Sequence, residues 1–268
     1  MGTITKALDL LNLFSATQPE IGLGEFVRLS GRDKATVHRH LTELAENGYL
    51  EQDSESRAYR LGPAVLRLAA LRETLFPTRK ILSRIVVELS QKVGELAHAS
   101  LLQSNAMSPL VHADPCVHGV QVHFDIAEML PLHATSSGLA ALAFSSKEFQ
   151  EQFLSGELTR FTDSTITDPD VLRRALKDAR SYGVATLTAA FDDGVSSVGA
   201  PLFGPGGRIV GSLSVAIPSI RVTPENLRPF AVAVLAYAEQ ASIALGGRFP
   251  KDLTPIPNDW PIAALQVD

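Results

Sequence analysis

Between Lys34 and Glu46 the apolar residues Val37, Leu41, Leu44 and Ala45 recur at the i, i+4, i+7, i+8 spacing of one buried helical stripe. The opposite side carries Ala35, Thr36, Arg39, Thr42, Glu43 and Glu46, with His38 and His40 on its flanks. Asp33 is placed to accept the amide of Thr36 as an N-cap, and Asn47-Gly48 tolerates the left-handed backbone that ends a helix. Upstream, the spacing of Ala7, Leu8, Leu10, Leu11 and Phe14 predicts a helix over 5–15, and Leu23, Phe26, Val27 and Leu29 predict a shorter one over 22–29. Ser30-Gly31-Arg32 is then a tight turn into the third helix, which is a helix-turn-helix. Two short runs, 49–52 and 57–61, flank the turn-rich Asp53-Ser54-Glu55-Ser56 and predict a β-hairpin, in effect a wing. A further helix over 63–75 follows, with Pro63 in its first turn, until Phe76-Pro77-Thr78 breaks it.

Beyond that break the alternation changes. A helix is predicted over 79–93, strands over 97–103, 107–113 and 117–124, and helices over 137–144, 147–154 and 169–182. Strands return over 184–190, 196–203 and 208–217, the last two joined by Gly204-Pro205-Gly206-Gly207, and a helix over 224–245 closes the domain. This is an α+β domain with a mainly antiparallel sheet. From Gly246 the composition turns proline-rich around Trp260, as in a disordered tail or an extended arm lying on a neighbouring subunit.

Composition narrows the function classes. With 268 residues, 45% apolar, the chain can bury a sizeable core in two domains. No apolar run approaches the roughly 18 residues of a membrane span, and no export signal is apparent. The single cysteine, Cys116, excludes an internal disulfide and fits the cytoplasm. A net charge of −5 argues against a nucleic-acid partner, but Arg28, Arg32, Lys34 and Arg39 against Asp33 give 28–40 a local charge of +3. Small residues, a hydroxyl and an arginine on the first exposed turns suit a major groove. The alternative is an ordinary amphipathic surface helix.

The run from Lys34 to Ala69 resembles the winged helix-turn-helix of the IclR family of bacterial transcription regulators. Lys34, Thr36, Val37, His38, Arg39, Leu41, Gly48, Tyr49 and the string Tyr59-Arg60-Leu61-Gly62 match its pattern, with Asp33 in place of the usual proline and Ala35 of the usual serine. Pro131 to Gly138, PLHATSSG, resembles the loop-to-helix segment of the family's GAF-like effector domain, with Leu139 where a lysine is usual. The runs 194–203 and 211–216 resemble its paired strands, and the resemblance spans Thr3 to Leu245.

The resemblance implies a winged helix-turn-helix over 1–62, a linker helix over 63–78, a GAF-like effector-binding domain over 79–246 and a tail over 247–268. It implies a regulator, expected to repress rather than activate, that binds double-stranded operator DNA as a homodimer or dimer of dimers. Thr36, Arg39 and His40 are the expected base-edge or adjacent phosphate contacts, Arg32, Lys34 and Arg57 the phosphate contacts, and His38 a further DNA-binding residue. His133, Ala134, Thr135 and Ser136 open a helix where an anion is favoured, so a small organic carboxylate is the expected effector. The resemblance places Ser197 and Ser214 beside them, and Phe124, Met129 and Leu130 are candidate apolar walls. Thr135 and Ser136 as mere helix caps are the plainer reading.

Other chemistries find less support. His112, Asp114, Cys116 and His118 alternate, with His123 and His133 nearby, but Pro115 interrupts them and zinc-ligand spacing is lacking. No nucleophile elbow or P-loop is present, so catalysis is not expected, nor is a cofactor. A zinc sensor or small-molecule enzyme on the second domain, with the helix-turn-helix used for dimerisation, is the alternative.

Overall fold

The computed structural model describes residues 2–258 and Trp260. The chain divides between Pro77 and Thr78 into two compact units.

The first unit contains α1 (Thr3–Leu11), α2 (Leu23–Ser30), α3 (Lys34–Glu46), β1 (Leu50–Gln52), β2 (Tyr59–Leu61) and α4 (Pro63–Leu75). Helix α1 stops short of its expected end, because Asn12 caps it and Phe14 turns inward outside the helix. Phe14, Phe26 and Tyr59 stack edge to face around Leu10, Val37, Leu41 and Leu50, so the stripe that defines α3 closes the core. Gly31 ends α2 at φ 64°, the left-handed conformation that makes the turn into α3 cheap for glycine. The wing is the antiparallel pair β1–β2, extended by reciprocal backbone bonds between Ile21 and Tyr59 at 2.9 Å.

The second unit contains α5 (Thr78–Val93), β3 (Leu96–Gln103), β4 (Ala106–Ala113), β5 (Leu130–Pro131), α6 (Ser136–Ala143), α7 (Lys147–Leu154), α8 (Pro169–Tyr182), β6 (Ala185–Thr188), β7 (Val195–Phe203), β8 (Ile209–Pro218) and α9 (Pro224–Ala244). Its sheet runs β5-β4-β3-β8-β7-β6, antiparallel throughout. Alternation along β8 sends Leu213, Val215 and Ile217 to a core shared with α5 and α9. The other face carries Ser212, Ser214 and Ala216, and a second core on that side gathers α6 and α8 through Leu142, Leu172 and Leu176.

Two expectations need correction here. The run 117–124 is a loop: Asp114 accepts the Cys116 amide at 2.7 Å, Cys116 takes φ 53°, and Leu130–Pro131 pairs with β4 instead. The described part of the proline-rich tail, 247–258 and Trp260, is an arm on its own domain. Arg228 donates to the Pro257 carbonyl at 3.0 Å, Thr254 to that of Ser181 at 2.8 Å, and Ile256 and Trp260 join the core under α9. The remainder, 261–268, lies outside the described residues.

Candidate functional site

Helix α3 is started by Asp33, whose carboxylate accepts the Thr36 amide at 2.8 Å; that backbone bond is the main cause holding the Asp33 pKa below the ordinary range. The turn before it is clamped by Arg32, which donates to Asp9 at 2.6 Å and to the Lys6 carbonyl at 2.8 Å. Arg32, expected on phosphate, thus ties α1 to the turn. Arg28 likewise pairs with Glu25, so the local +3 shrinks to Lys34 and Arg39 offset by the capping Asp33. Lys34, His38 and Arg39 are exposed and Thr36 is half-buried; among the described residues Lys34, His38 and Arg39 have no side-chain partner.

His40 overturns the expectation of a groove contact. It is 1% exposed, and neither ring nitrogen has a partner. Residue 40 is three on from Val37 and four before Leu44, at the edge of the stripe, and there it packs inward. On the wing, Asp53 accepts the amides of Ser56 at 2.7 Å and Glu55 at 3.1 Å, which fixes a turn that leaves Arg57 exposed at φ 60°.

The second unit holds a cavity of about 90 Å³ between the sheet, the start of α6 and two loops. Ala134, Thr135, Ser136 and Ser137 form its inner end; His98, Ser197 and Ala216 come from the sheet; Phe124, Leu130 and Phe191 wall it. Two glycines let α6 lie this deep. A Cβ on Gly138 would stand 2.4 Å from the Leu132 Cα, and one on Gly199 would stand 2.7 Å from the Ser136 carbonyl oxygen.

The polar groups divide by commitment. Thr135 is the N-cap: its hydroxyl accepts the Gly138 amide at 3.1 Å and donates to the Pro131 carbonyl at 2.9 Å. Ser137 Oγ shares a 3.1 Å bond with Thr135 Oγ1, whereas Ser136 Oγ, buried, has no partner. The amides of Ser136 and Ser137 begin the helix and have no intrahelical acceptor. The plainer capping reading therefore holds for Thr135, while Ser136 Oγ stays without a partner.

His133 and Ser214 do not line the cavity. His133 Nε2 bonds the Thr159 carbonyl at 2.9 Å on the far side of α6, and burial lowers its pKa. Ser214 lies under the start of α6, its Oγ 2.6 Å from where a Gly199 Cβ would stand, and Ala216 takes the lining place in its row. Met129 is exposed and outside the lining, while Phe124 and Leu130 line as expected.

The sequence reading missed His98, Asp125, Glu128, Phe191 and Asp192. His98 had a signal, a histidine amid the apolar run of β3. It is buried, bonds Ser100 Oγ at 3.1 Å and stacks on Phe124 with ring centroids 4.7 Å apart. Burial, and next His112, push its pKa down to about 3, so it is a neutral hydrogen-bonding group. The residues of the alternative zinc reading scatter. His112 stacks on Phe124, His118 sits 3.8 Å from Glu95, and no three His, Cys, Asp or Glu residues converge among the described residues.

A winged helix-turn-helix and an antiparallel-sheet domain with a polar-ended cavity, on one chain, define a ligand-responsive transcription regulator. The IclR helix-turn-helix domain matches residues 3–54, and the bacterial transcriptional regulator IclR C-terminal domain matches residues 75–243. The chain belongs to the IclR family; it is a transcription regulator, not an enzyme.

Similar curated proteins include the HTH-type transcriptional regulator BhcR of Paracoccus denitrificans, 29% identical over 249 residues, covering 91% of this chain and 88% of that one. The transcriptional repressor IclR of Escherichia coli is 25% identical over 259 residues, covering 91% and 90%. Among solved structures, a putative IclR regulator from a Silicibacter species superposes with TM-score 0.85 at 41% identity, covering 94% of this chain and 100% of that one. An IclR homologue from Microbacterium hydrocarbonoxydans complexed with 4-hydroxybenzoate has TM-score 0.74 at 23% identity over 91% and 99%. No helix among the described residues is long and apolar enough to cross a membrane.

Proposed function

We propose that α3 reads operator DNA through Thr36, His38 and Arg39, with Lys34 and Arg57 on phosphates, and that the cavity beneath α6 is the effector site. The observation that carries the first part is the exposed, unpartnered set Lys34, His38 and Arg39 on a capped helix whose other face closes a core. The second part rests on the buried, unpartnered Ser136 Oγ beside two orphan helix amides, a carboxylate-binding arrangement. The carboxylate ligand of the Microbacterium homologue supports that reading.

One recognition helix reads only a few base pairs, so a homodimer on a (pseudo)palindrome follows. Helix α4 supports it by exposing Leu66 at 74%, Leu71 at 54% and Leu75 at 63%. Repression is the proposed sign, as for the Escherichia coli relative, and the cytoplasm the proposed location. The test is operator binding by Arg39→Ala, using a duplex selected from a random library. Specific affinity is expected to fall by roughly tenfold to a hundredfold with the circular dichroism unchanged; undiminished affinity refutes the assignment.

A further inference from the structure

The cavity is polar at both ends, and the two ends have opposite character. Its ionisable lining residues are His98, His123, Asp125, Glu128 and Asp192, without a lysine or arginine. The inner end offers hydrogen-bond donors, namely Ser136 and the first α6 amides, at the positive end of the helix dipole. The outer rim is the half-buried Asp125 with the exposed Glu128 and Asp192. These groups sense one another: burial first, then Asp125, raises the Glu128 pKa, His123 offsets part of that rise, and Asp192 adds to it. No three metal-ligand groups converge here among the described residues. A dicarboxylate would set its second charge against this rim, whereas a cationic group would meet it favourably.

We infer that the effector is a zwitterion, with its carboxylate on the α6 N-terminus and an ammonium group at Asp125, Glu128 and Asp192. The inference rests on the cavity being the effector site. The volume of about 90 Å³ admits roughly six to nine water-sized groups, the scale of a compact amino acid. Phe124, Leu130 and Phe191 would enclose its carbon chain.

The test is titration calorimetry on the full chain with the standard L-amino acids, β-alanine and 4-aminobutyrate. Each is compared with the acid lacking the amine, and 4-aminobutyrate also with succinate. Two variants accompany it. Asp125→Asn/Glu128→Gln/Asp192→Asn removes the rim charge yet keeps the oxygens that accept the Ala127 and Gly194 amides. Ala216→Leu fills the cavity.

At least one zwitterion is expected to bind roughly fivefold more tightly than its amine-free partner, with that ratio lost in the rim variant. The inference is overturned if no zwitterion binds, if the amine-free acids or succinate bind as tightly, or if the rim variant keeps the preference. Acids that bind wild type as tightly as their zwitterions, but do not bind Ala216→Leu, would remove the zwitterion and leave the cavity as the effector site. Binding indifferent to Ala216→Leu would remove the cavity reading itself.

Discussion

His98 makes the effector unit sensitive to acid in a way that can be measured. It is 4% exposed, faces His112 across the β3–β4 pair, and is held neutral with its pKa pushed from 6.5 to about 3 by burial and then by that neighbour. In the unfolded chain the ring titrates at its ordinary value. Between pH 6.5 and about 3 the unfolded state therefore takes up a proton that the folded state refuses, and stability falls as pH falls through that window. Above it the contribution is constant. At pH near 5 the loss amounts to about 2 kcal/mol.

Trp260, the single tryptophan, packs into the core of this unit, so its fluorescence during urea unfolding reports the relevant transition. Wild type and His98→Asn are compared at pH values near 7.5 and 5; the difference removes the contribution of every group that does not interact with His98. Wild type is expected to lose about 2 kcal/mol more than the variant. Equal losses, or a His98 imidazole that titrates near 6.5 in the native protein by NMR, would refute the reasoning.

Three other outcomes follow from the packing. His40→Leu removes a buried imidazole without partners, so stability should hold or rise by about 1 kcal/mol with operator affinity unchanged in anisotropy titrations; lost affinity would put that ring in the groove. Gly199→Ala inserts a Cβ 2.6 Å from Ser214 Oγ and 2.7 Å from the Ser136 carbonyl oxygen, and should cost about 1–3 kcal/mol in urea melts; an unaffected midpoint would mean that α6 does not rest on β7. Trp260→Ala should lower stability by about 3 kcal/mol in calorimetry, whereas an unchanged melting profile would detach the arm from the core.

What was legible in the sequence tracks the range of the interactions. The boundaries of α3, α4, α7 and α8 are set by local signals, such as Asp33 and Asp168 as caps, Pro63 and Pro169 in first turns and Gly183 at a C-terminus. They could be read residue by residue. The strand expected over 117–124 failed because a strand requires a partner, and the edge of β4 pairs with Leu130–Pro131 instead.

The sites divide in the same manner. Thr135 and Ser136 were legible as a helix start, and Lys34 and Arg39 as an exposed face. Asp125, Glu128 and Asp192 were not, since they meet only when two loops distant in sequence close over one cavity. His40 misled because its helical position lies at the border of the stripe, where the packing of Leu44 and the unit's core decides which way the border falls.

The measurement that bears most directly on the central claim is the coupling between cavity and operator. Operator affinity is determined by fluorescence anisotropy with and without a ligand found by calorimetry, and ligand affinity with and without operator. A one-component regulator must change both by the same factor, in the range of about 5- to 150-fold, and Ala216→Leu must abolish the effect. Operator affinity indifferent to a ligand that demonstrably fills the cavity would contradict the account.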